Sequence, residues 1–280
     1  MDAPKSNRGG PWLLVGKLAL GLVLLVVVIL VASSLQNRGS SDAHMISPPT
    51  AAQVGATATP TVSTITLTPY EQANADRAYL SAIVNVDKIT LYNQLPPTGK
   101  VSYTFGRKDE VGMPTTFLVT GEAKDATGAT WYQVMVPAKP NGTRGWLSAA
   151  DVTTQEITHS VDIYLAEHRL DLLDRGELVR SYPIGVGTVD TPTPLGNFYV
   201  TTKMRPPSPN GVYGVLAIGI SAFSEKVTNW PKQGQVGIHG TNEPDKVGTD
   251  VSHGCIRLRN EDILQLTTDV PLGTPVNVNR

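Results

Sequence analysis

The longest run of hydrophobic positions lies near the N-terminus. Residues 18–32 contain no charged side chain, and the apolar character extends over residues 13–35. This length is enough for one helix that spans a membrane. The small residues Ala32 and Ser33 would also suit the cleavage site of a signal peptide, which is the alternative interpretation. The pattern predicts a transmembrane anchor over residues 13–35, and both interpretations export the rest of the chain.

Basic residues predict the orientation of this anchor. They precede or open it at Lys5, Arg8 and Lys17, whereas only Arg38 follows it closely. Positive charge is retained on the cytoplasmic side of a membrane. We therefore expect a cytoplasmic tail over residues 1–12 and a single-pass protein of the cell membrane. Everything after the anchor would be extracellular or periplasmic.

The segment after the anchor differs in composition. Residues 36–78 are rich in Ser, Thr, Ala, Pro and Gly and contain few large apolar side chains. Such a segment buries too little surface to offset the entropy lost on ordering. The composition predicts a disordered linker that carries the following domain away from the membrane.

Short hydrophobic stretches separated by turns follow over residues 79–153. The clearest strand signal is residues 131–136, which are rich in aromatic and β-branched side chains. The turn dipeptide Asn141-Gly142 separates this strand from the sequence Gly-Trp-Leu at residues 145–147. The two strand sequences resemble the last strands of bacterial SH3-like domains, which implies a small barrel that binds cell wall or peptide. A rigid spacer without a ligand is the alternative.

Strand patterns also dominate residues 156–280. Apolar residues alternate with other residues over 161–166, and residues 174–176, Asp-Arg-Gly, have the composition of a hairpin turn. Only the stretch from Asn260 onward predicts a helix, which Asn260 is expected to cap. The chain is therefore predicted to be mainly β, with an N-terminal transmembrane helix, a small barrel and a β-sandwich-like domain that contains one clear helix.

Composition and charge exclude several classes of protein. The formal net charge is −1 and aromatic residues make up 6% of the chain, with no basic stretch interleaved among them, which argues against nucleic-acid binding. Residues 185–188 lack the third glycine of a dinucleotide-binding fingerprint, and no phosphate-binding loop is present. The sequence therefore predicts neither a nucleic-acid partner nor a cofactor.

Candidate chemistry is concentrated around the only cysteine of the chain. Cys255 follows His253 and Gly254, and His239 lies 16 residues before it. A lone thiol on the exported side has no partner for an internal disulfide. An adjacent imidazole commonly holds a cysteine as the nucleophilic thiolate near neutral pH. The pattern favours a catalytic cysteine over a buried structural one.

Two predicted strands would bring these groups together. Apolar residues precede His239 and follow Cys255, and a polar loop joins the two stretches. Cys255 would attack a carbonyl while His239 accepts its proton. The backbone N–H groups of Gly254 and Cys255 would stabilise the oxyanion. No aspartate adjoins His239, so the carbonyl of Gly240 is expected to orient the ring, with Ser252 and His253 supporting the loop or proton transfer.

Metal binding is the alternative chemistry for these residues. His239, His253 and Cys255 are all residue types that ligate zinc. The chain nevertheless lacks the His-Glu-x-x-His motif and paired Cys-x-x-Cys spacings. We therefore expect no metal at this site.

The motif is similar to the signature of L,D-transpeptidases with a YkuD-type catalytic domain. The resemblance rests on His239 followed by the sequence Ser-His-Gly-Cys-Ile-Arg at residues 252–257, and on residues 191–198, TPTPLGNF. It covers residues 156–280. Some members have asparagine where this chain has Arg257, and Leu195 is an insertion relative to the family pattern, so the preference for an acyl donor is open.

This resemblance implies a peptidoglycan transpeptidase. A cysteine would take the acyl group of a tetrapeptide stem at the bond between an L-centre and a D-centre, release D-alanine and transfer the acyl group to the amine of an acceptor stem. The loop over residues 203–214 resembles the family's lid over the substrate groove. On this basis we expect Arg257, Tyr213, Trp230 and Gly240 to contact substrate.

Two other functions are compatible with the sequence. A cysteine hydrolase would trim stem peptides, if water rather than an amine reached the thioester. A non-catalytic wall-binding protein would depend on the SH3-like block alone. The intact pair Cys255 and His239 favours an enzyme over the binding protein.

Overall fold

The computed structural model describes residues 68–227 and 231–280. The predicted cytoplasmic tail, the predicted anchor and most of the predicted linker lie outside these residues. Trp230, an expected substrate contact, also lies outside them. Among the helices of the described residues, none is long and apolar enough to cross a membrane.

An antiparallel sheet of seven strands forms the N-terminal part of the described chain, and we call it the N-terminal sheet. Its strands are β1 (Tyr79–Val84), β2 (Lys88–Tyr92), β3 (Val101–Gly106), β4 (Thr116–Lys124), β5 (Thr130–Met135), β6 (Arg144–Ser148) and β7 (Val152–Ile157). Their spatial order is β3-β2-β6-β5-β4-β1-β7, so that β3 and β7 are the edge strands. The predicted Asn141-Gly142 turn joins β5 to β6, and Gly142 has a φ of 83°, which glycine adopts without a steric penalty.

Ten further strands form the C-terminal part. They are β8 (His159–Tyr164), β9 (Arg169–Asp174), β10 (Glu177–Pro183), β11 (Val186–Gly187), β12 (Gly196–Met204), β13 (Ala217–Phe223), β14 (Gln235–His239), β15 (Asp250–Ser252), β16 (Ile256–Arg257) and β17 (Pro275–Asn279). Eight of them form the C-terminal sheet in the order β10-β9-β8-β17-β12-β13-β14-β16, while β11 and β15 pair separately. The predicted hairpin turn at residues 174–176 joins β9 to β10.

The described residues contain three α-helices. These are α1 (Pro69–Ala75), the four-residue α2 (Pro231–Gly234) and α3 (Asn260–Asp269). The helix predicted from Asn260 onward is therefore α3, and its Ile263 and Leu266 are fully buried in the core of the C-terminal sheet. The mainly β class predicted from the sequence is confirmed.

Helix α1 corrects the predicted end of the linker. Thr68 and Glu71 form a capping box, in which the Glu71 N–H donates to the Thr68 hydroxyl and the Thr68 N–H donates to the Glu71 carboxylate. Ala73 is buried in the core of the N-terminal sheet. Residues 69–75 were expected to be disordered because they contain few large apolar side chains. Reciprocal capping and one buried alanine are enough to order this turn of chain.

The boundary between the two parts also differs from the prediction. The expected division at residues 153–156 falls inside β7, which pairs with β1 along its whole length. The chain passes to the C-terminal sheet only at Thr158, between β7 and β8. Polar residues on β7 made this strand hard to predict, because as an edge strand it exposes half of its side chains.

The two sheets belong to one compact unit. Leu118 and Met135 of the N-terminal sheet pack in one hydrophobic cluster with Tyr199 of β12. The Asn141 side chain makes two hydrogen bonds of 2.9 Å with the backbone of Phe223, and Lys139 donates to the Ser224 carbonyl at 3.0 Å. Apolar and polar contacts therefore both fix the N-terminal sheet against β12 and the end of β13.

Candidate active site

Parallel pairing of two strands places the candidate cysteine and histidine at one edge of the C-terminal sheet. β14 ends at His239, and β16 begins directly after Cys255. Ile238 lies opposite Ile256, and His239 lies opposite Arg257. The thiol and the imidazole both line two adjoining cavities, so the structure brings together the pair that the sequence predicts.

His239 is buried and its ring is oriented by the backbone. The ring Nδ1 lies 2.6 Å from the carbonyl oxygen of Gly240, the contact that the sequence predicts. A carbonyl oxygen only accepts hydrogen bonds, so Nδ1 carries the proton and Nε2 of the neutral ring is the basic nitrogen. This arrangement gives the histidine a nitrogen that can accept a proton.

The electrostatics correct the expected protonation of the pair. Burial lowers the pKa of His239 from 6.5 to about 4, the nearby Arg257 charge lowers it further, and the Gly240 hydrogen bond opposes this change. Burial also raises the pKa of the Cys255 thiol above 9.0, against the opposing effects of a Gly237 hydrogen bond and of Arg257. Both shifts favour the uncharged form. These directions oppose the expectation of a thiolate held beside a charged imidazole and favour a neutral thiol beside a neutral base.

The loop before the cysteine is held by Ser252. Its hydroxyl donates to the Cys255 carbonyl at 2.5 Å and accepts from the Gly254 N–H at 3.0 Å. Gly254 has a φ of 115°, a conformation that a residue with a side chain rarely adopts. The Gly254 N–H already donates to Ser252, so of the two expected oxyanion donors the Cys255 N–H is the stronger candidate.

A second loop supports the first. The Thr191 hydroxyl and the Thr188 N–H each donate to the Ser252 carbonyl at 3.1 Å. Thr191 opens the TPTPLGNF sequence that the sequence analysis identifies as a family feature. Through Thr191 this sequence holds the cysteine loop at the Ser252 carbonyl.

Gly237 is a functional residue that the sequence analysis missed. It contributes the backbone hydrogen bond that acts on the Cys255 thiol, and it precedes His239 by two residues on β14. Residues two apart share one face of a strand, and a Cβ atom at Gly237 would lie 4.0 Å from the His239 ring and 3.3 Å from the Ile218 carbonyl oxygen. A glycine inside the predicted strand Val236-Gly237-Ile238 was the signal, because such a glycine often marks a close approach.

Glu243 is a second missed residue. Its carboxylate accepts from the Arg257 guanidinium at 3.0 Å, while the Arg257 side chain is only 14% exposed. Lys246 also bonds to Glu243, and hydrogen bonds and charge from the two basic residues lower the pKa of the carboxyl. The guanidinium Nε of Arg257 has no hydrogen-bond partner among the described residues. Glu243 therefore holds one end of the Arg257 guanidinium at the wall of the cavity.

Asn260 is the third missed residue, and it does not cap α3 as predicted. Arg259 is the N-cap of that helix. The Asn260 side-chain carbonyl instead accepts from the N–H groups of Thr241 at 3.1 Å and Val215 at 3.3 Å. A Cβ atom at Gly240 would lie 2.2 Å from this oxygen, so a glycine is required after His239. Asn260 thereby ties the end of the predicted lid to the histidine loop.

The remaining predicted residues are placed as follows. The Tyr213 ring packs edge-on against the His239 ring, with centroids 4.9 Å apart. His253 is exposed and lines the same cavity as Cys255. Gly240 contacts His239, and Trp230 lies outside the described residues. Tyr213, His253 and Arg257 thus surround the reacting pair as predicted.

Two cavities meet at the cysteine. The first has a volume of about 150 Å³ and is lined by the cysteine loop, His253, Arg257 and Tyr213. The second has a volume of about 300 Å³, is mostly apolar, and extends along β13 and β14 toward Pro206 and Pro207. The thiol is therefore accessible from two sides, an arrangement that suits two substrates that reach one nucleophile in turn.

Comparisons with known proteins agree with this geometry. Residues 158–278 match the YkuD family model, which describes an L,D-transpeptidase catalytic domain. YkuD of Bacillus licheniformis, provisionally named an L,D-transpeptidase, is 34% identical over 168 residues, which are 56% of this chain and 94% of that protein. YkuD of Bacillus subtilis, named in the same way, is 36% identical over 124 residues, which are 44% of this chain and 68% of that protein.

Solved structures of similar proteins include L,D-transpeptidase 3 from Mycobacterium tuberculosis. It overlaps with 16% identity and a TM-score of 0.38, over 59% of this chain and 92% of that one. The family model and the two relatives define the present protein as an acyltransferase. The chain belongs to the L,D-transpeptidase family with a YkuD-type catalytic domain.

Proposed function

We propose that the protein cross-links peptidoglycan through a thioester on Cys255. The observation that carries this proposal is the orientation of His239, whose Nδ1 bonds to Gly240 and whose basic Nε2 shares a cavity with the only thiol of the chain. The peptidoglycan stem peptides, as donor and as acceptor, are the substrates that family membership suggests.

The first half of the reaction forms the acyl-enzyme. The Cys255 sulfur attacks the carbonyl carbon of the L,D bond, and its proton passes to Nε2 of His239. The oxyanion receives a hydrogen bond from the Cys255 N–H. The C–N bond then breaks, His239 returns the proton to the leaving amine of the D-residue, and a thioester remains. A neutral resting pair fits this scheme, because the proton moves only when the bond forms.

The second half transfers the acyl group. The amine of an acceptor stem attacks the thioester carbon, His239 accepts a proton from that amine, and the C–S bond breaks to release the cross-linked product. The sulfur leaves as a thiolate and recovers its proton from His239. Arg257 and Tyr213, which line the cavity beside the thiol, hold the substrates in this scheme, and Ser252 keeps the loop in place.

The N-terminal part and the location belong to the same proposal. We infer that residues 79–153 are an SH3-like wall-binding domain, and that a helix over residues 13–35 anchors the protein with both sheets outside the membrane. The turn-linked strands of the N-terminal sheet and the charge pattern around the apolar segment support these inferences. Two experiments test the location. Membrane fractionation shows whether the protein is anchored, and protease digestion of intact cells shows whether the sheets lie outside the membrane.

A mass measurement tests covalent catalysis. A carbapenem should acylate Cys255 and add its mass to the intact protein, whereas Cys255→Ala and His239→Ala should gain little or none. The matched control is His159→Ala, which removes a histidine of β8 far along the sheet from β14 and should be acylated at the normal rate. Normal turnover of stem peptides by Cys255→Ala would contradict the proposal.

A tetrapeptide donor supplied with and without an amine acceptor then distinguishes transfer from hydrolysis.

A further inference from the structure

A third cavity lies between the two sheets and continues the groove that contains Cys255. Its volume is about 670 Å³, within the range of sites that bind small ligands. Thr202 and Gln235 line both this cleft and the second cavity, and Cys255 lines the second cavity as well. Val111, from the N-terminal part, also reaches the second cavity. The N-terminal part therefore contributes walls to one continuous groove that leads to the thiol.

The cleft is preformed. Lys139 and Phe223 both line it, and they belong to the hydrogen bonds that join the sheets. Lys139 donates to the Ser224 carbonyl, and Asn141 bonds to both backbone groups of Phe223. A ligand that enters this space meets walls already held in position, so its binding costs no ordering of the two parts.

The chemistry of the walls suits a sugar. Tyr103 and Phe105 of the edge strand β3 are half-buried, stack on each other with centroids 6.4 Å apart, and line the cleft. The negative face of an aromatic ring attracts the C–H bonds on the apolar face of a sugar. Thr104 and Gln233 supply donors and acceptors for hydroxyl and acetamido groups. Gln235 supplies an acceptor, because its amide N–H groups already donate to Thr201 and Ile220.

The charges around the cleft balance. Lys108 and Lys139 line it together with Asp109 and Glu110. Equal numbers of cationic and anionic groups favour neither an anionic nor a cationic ligand strongly. A neutral, amphipathic ligand such as an N-acetylated amino sugar fits this lining better than a phosphate, a nucleotide or a basic peptide.

The length of the peptide stem between the reacting carbonyl and the sugar points to the same ligand. After loss of its D-residue, a tetrapeptide stem retains three residues, which extend roughly 10 Å between the reacting carbonyl and the sugar that carries the stem. The sugar of a donor held on Cys255 therefore lies close to the thiol, and the cleft adjoins the second cavity at Gln235. We propose that the cleft between the sheets binds the glycan to which the donor stem is attached, an inference that rests on the proposed function.

Two donors with the same peptide test this inference. One is the free tetrapeptide stem, and the other is the same stem attached to its amino-sugar disaccharide. The wild-type protein should show a kcat/KM for the disaccharide-linked stem about ten-fold higher than for the free stem, or more. Equal values for the two donors would overturn the proposal.

Substitutions on β3 test whether the cleft causes the preference for the disaccharide-linked donor. Thr104→Arg places a large side chain in the cleft from an exposed position, and it should bring the ratio of the two kcat/KM values close to one. Tyr103→Ala should lower the ratio by removing the stacking surface. The matched control is Val101→Arg, at a position on the same strand that is 62% exposed and does not line the cleft, and it should retain the wild-type ratio. A Thr104→Arg protein that keeps the full ratio would contradict the site.

A binding measurement separates this proposal from the proposed function. The disaccharide without peptide is titrated into the full-length protein, and saturable binding should weaken in Thr104→Arg but not in Val101→Arg. If no donor reacts and no carbapenem adduct forms, the proposed function fails, and the titration still decides whether the cleft binds sugar. Binding of the free tetrapeptide in the cleft instead of the disaccharide would overturn the inference.

Discussion

Individual residues in this site are adjusted to keep the reacting groups uncharged. His239 is 4% exposed, and the Gly240 carbonyl accepts a hydrogen bond from its ring. Cys255 lies beside Gly237, whose N–H offsets only part of the cost of burying a thiolate. The sequence pattern of a thiol near an imidazole is common to ion pairs and neutral pairs. Burial decides between them, because a buried pair avoids charge that water cannot solvate.

We predict that Cys255 is a thiol, not a thiolate, at neutral pH. Because burial raises the pKa of this thiol, the ultraviolet absorbance of the thiolate should appear only at alkaline pH. The difference spectrum between wild type and Cys255→Ala measures it directly, since the chain has one cysteine. Full thiolate absorbance at neutral pH that disappears in His239→Ala would show an ion pair instead.

The same residues make stability depend on pH. The folded protein holds the pKa of His239 at about 4, whereas the ordinary value is 6.5. Between these values the unfolded chain binds a proton that the folded chain does not, so the free energy of unfolding should fall as the pH drops from 6.5 toward 4. Chemical unfolding at several pH values should show this fall, and His239→Gln should reduce it.

At the scale of elements, one asparagine couples three segments of chain. Asn260, in the first turn of α3, binds the N–H of Val215 before β13 and the N–H of Thr241 after β14. A Cβ atom at Gly214 would lie 2.1 Å from its side-chain oxygen, so the end of the lid approaches the helix as closely as the backbone allows. The position of the lid and the position of His239 are therefore set by the same side chain.

Replacing Asn260 should loosen both segments together. Asn260→Ala leaves two backbone N–H groups without their partner, which should lower the free energy of unfolding by about 2–4 kcal/mol. Hydrogen exchange at Val215 and Thr241 should become faster. Asn260→Asp keeps an acceptor oxygen and should retain part of the protection, while Glu261→Ala, in the same helical turn and with no such bonds, should change little. If the Val215 and Thr241 amides were as well protected in Asn260→Ala as in the wild type, this coupling would be refuted.

At the scale of the whole molecule, a shared hydrophobic cluster joins the two sheets. Met135 and Leu118 of the N-terminal sheet share a buried cluster with Tyr199 of the C-terminal sheet. The Ser221 hydroxyl also contacts the Met135 sulfur at 3.7 Å. This cluster, together with the hydrogen bonds to Phe223 and Ser224, holds the walls of the cleft against each other.

Substitutions in this cluster should affect both sheets. Met135→Ala should lower the free energy of unfolding by about 2–4 kcal/mol, because it leaves a cavity between the sheets. Tyr199→Phe is the matched control, since the Tyr199 hydroxyl is buried without a hydrogen-bond partner among the described residues and its removal should cost little or stabilise the protein. Fluorescence and circular dichroism should follow one shared transition. Two transitions, with only one shifted by Met135→Ala, would show that the parts fold independently.

The sequence by itself determined the mainly β class, most strands of the C-terminal sheet, the helix after Asn260 and the residues around Cys255. These features follow from local rules: the period-two alternation of strands, the composition of turns, and the rarity of a lone cysteine flanked by histidine and glycine. His239 was found from its spacing to Cys255 and the apolar residues before it, and Gly240 was expected to orient the ring because no aspartate adjoins His239.

Only the tertiary structure decided the direction of the pKa shifts of Cys255 and His239 and the hydrogen bond between the Gly254 N–H and Ser252. It also decided the roles of Gly237, Glu243 and Asn260 and the position of the cleft between the sheets. Each depends on groups that are distant in sequence and that meet through strand pairing or packing. The pKa of a buried group depends on what surrounds it, and the partner of a side chain depends on which loop the fold brings near. Sequence spacing carries neither kind of information.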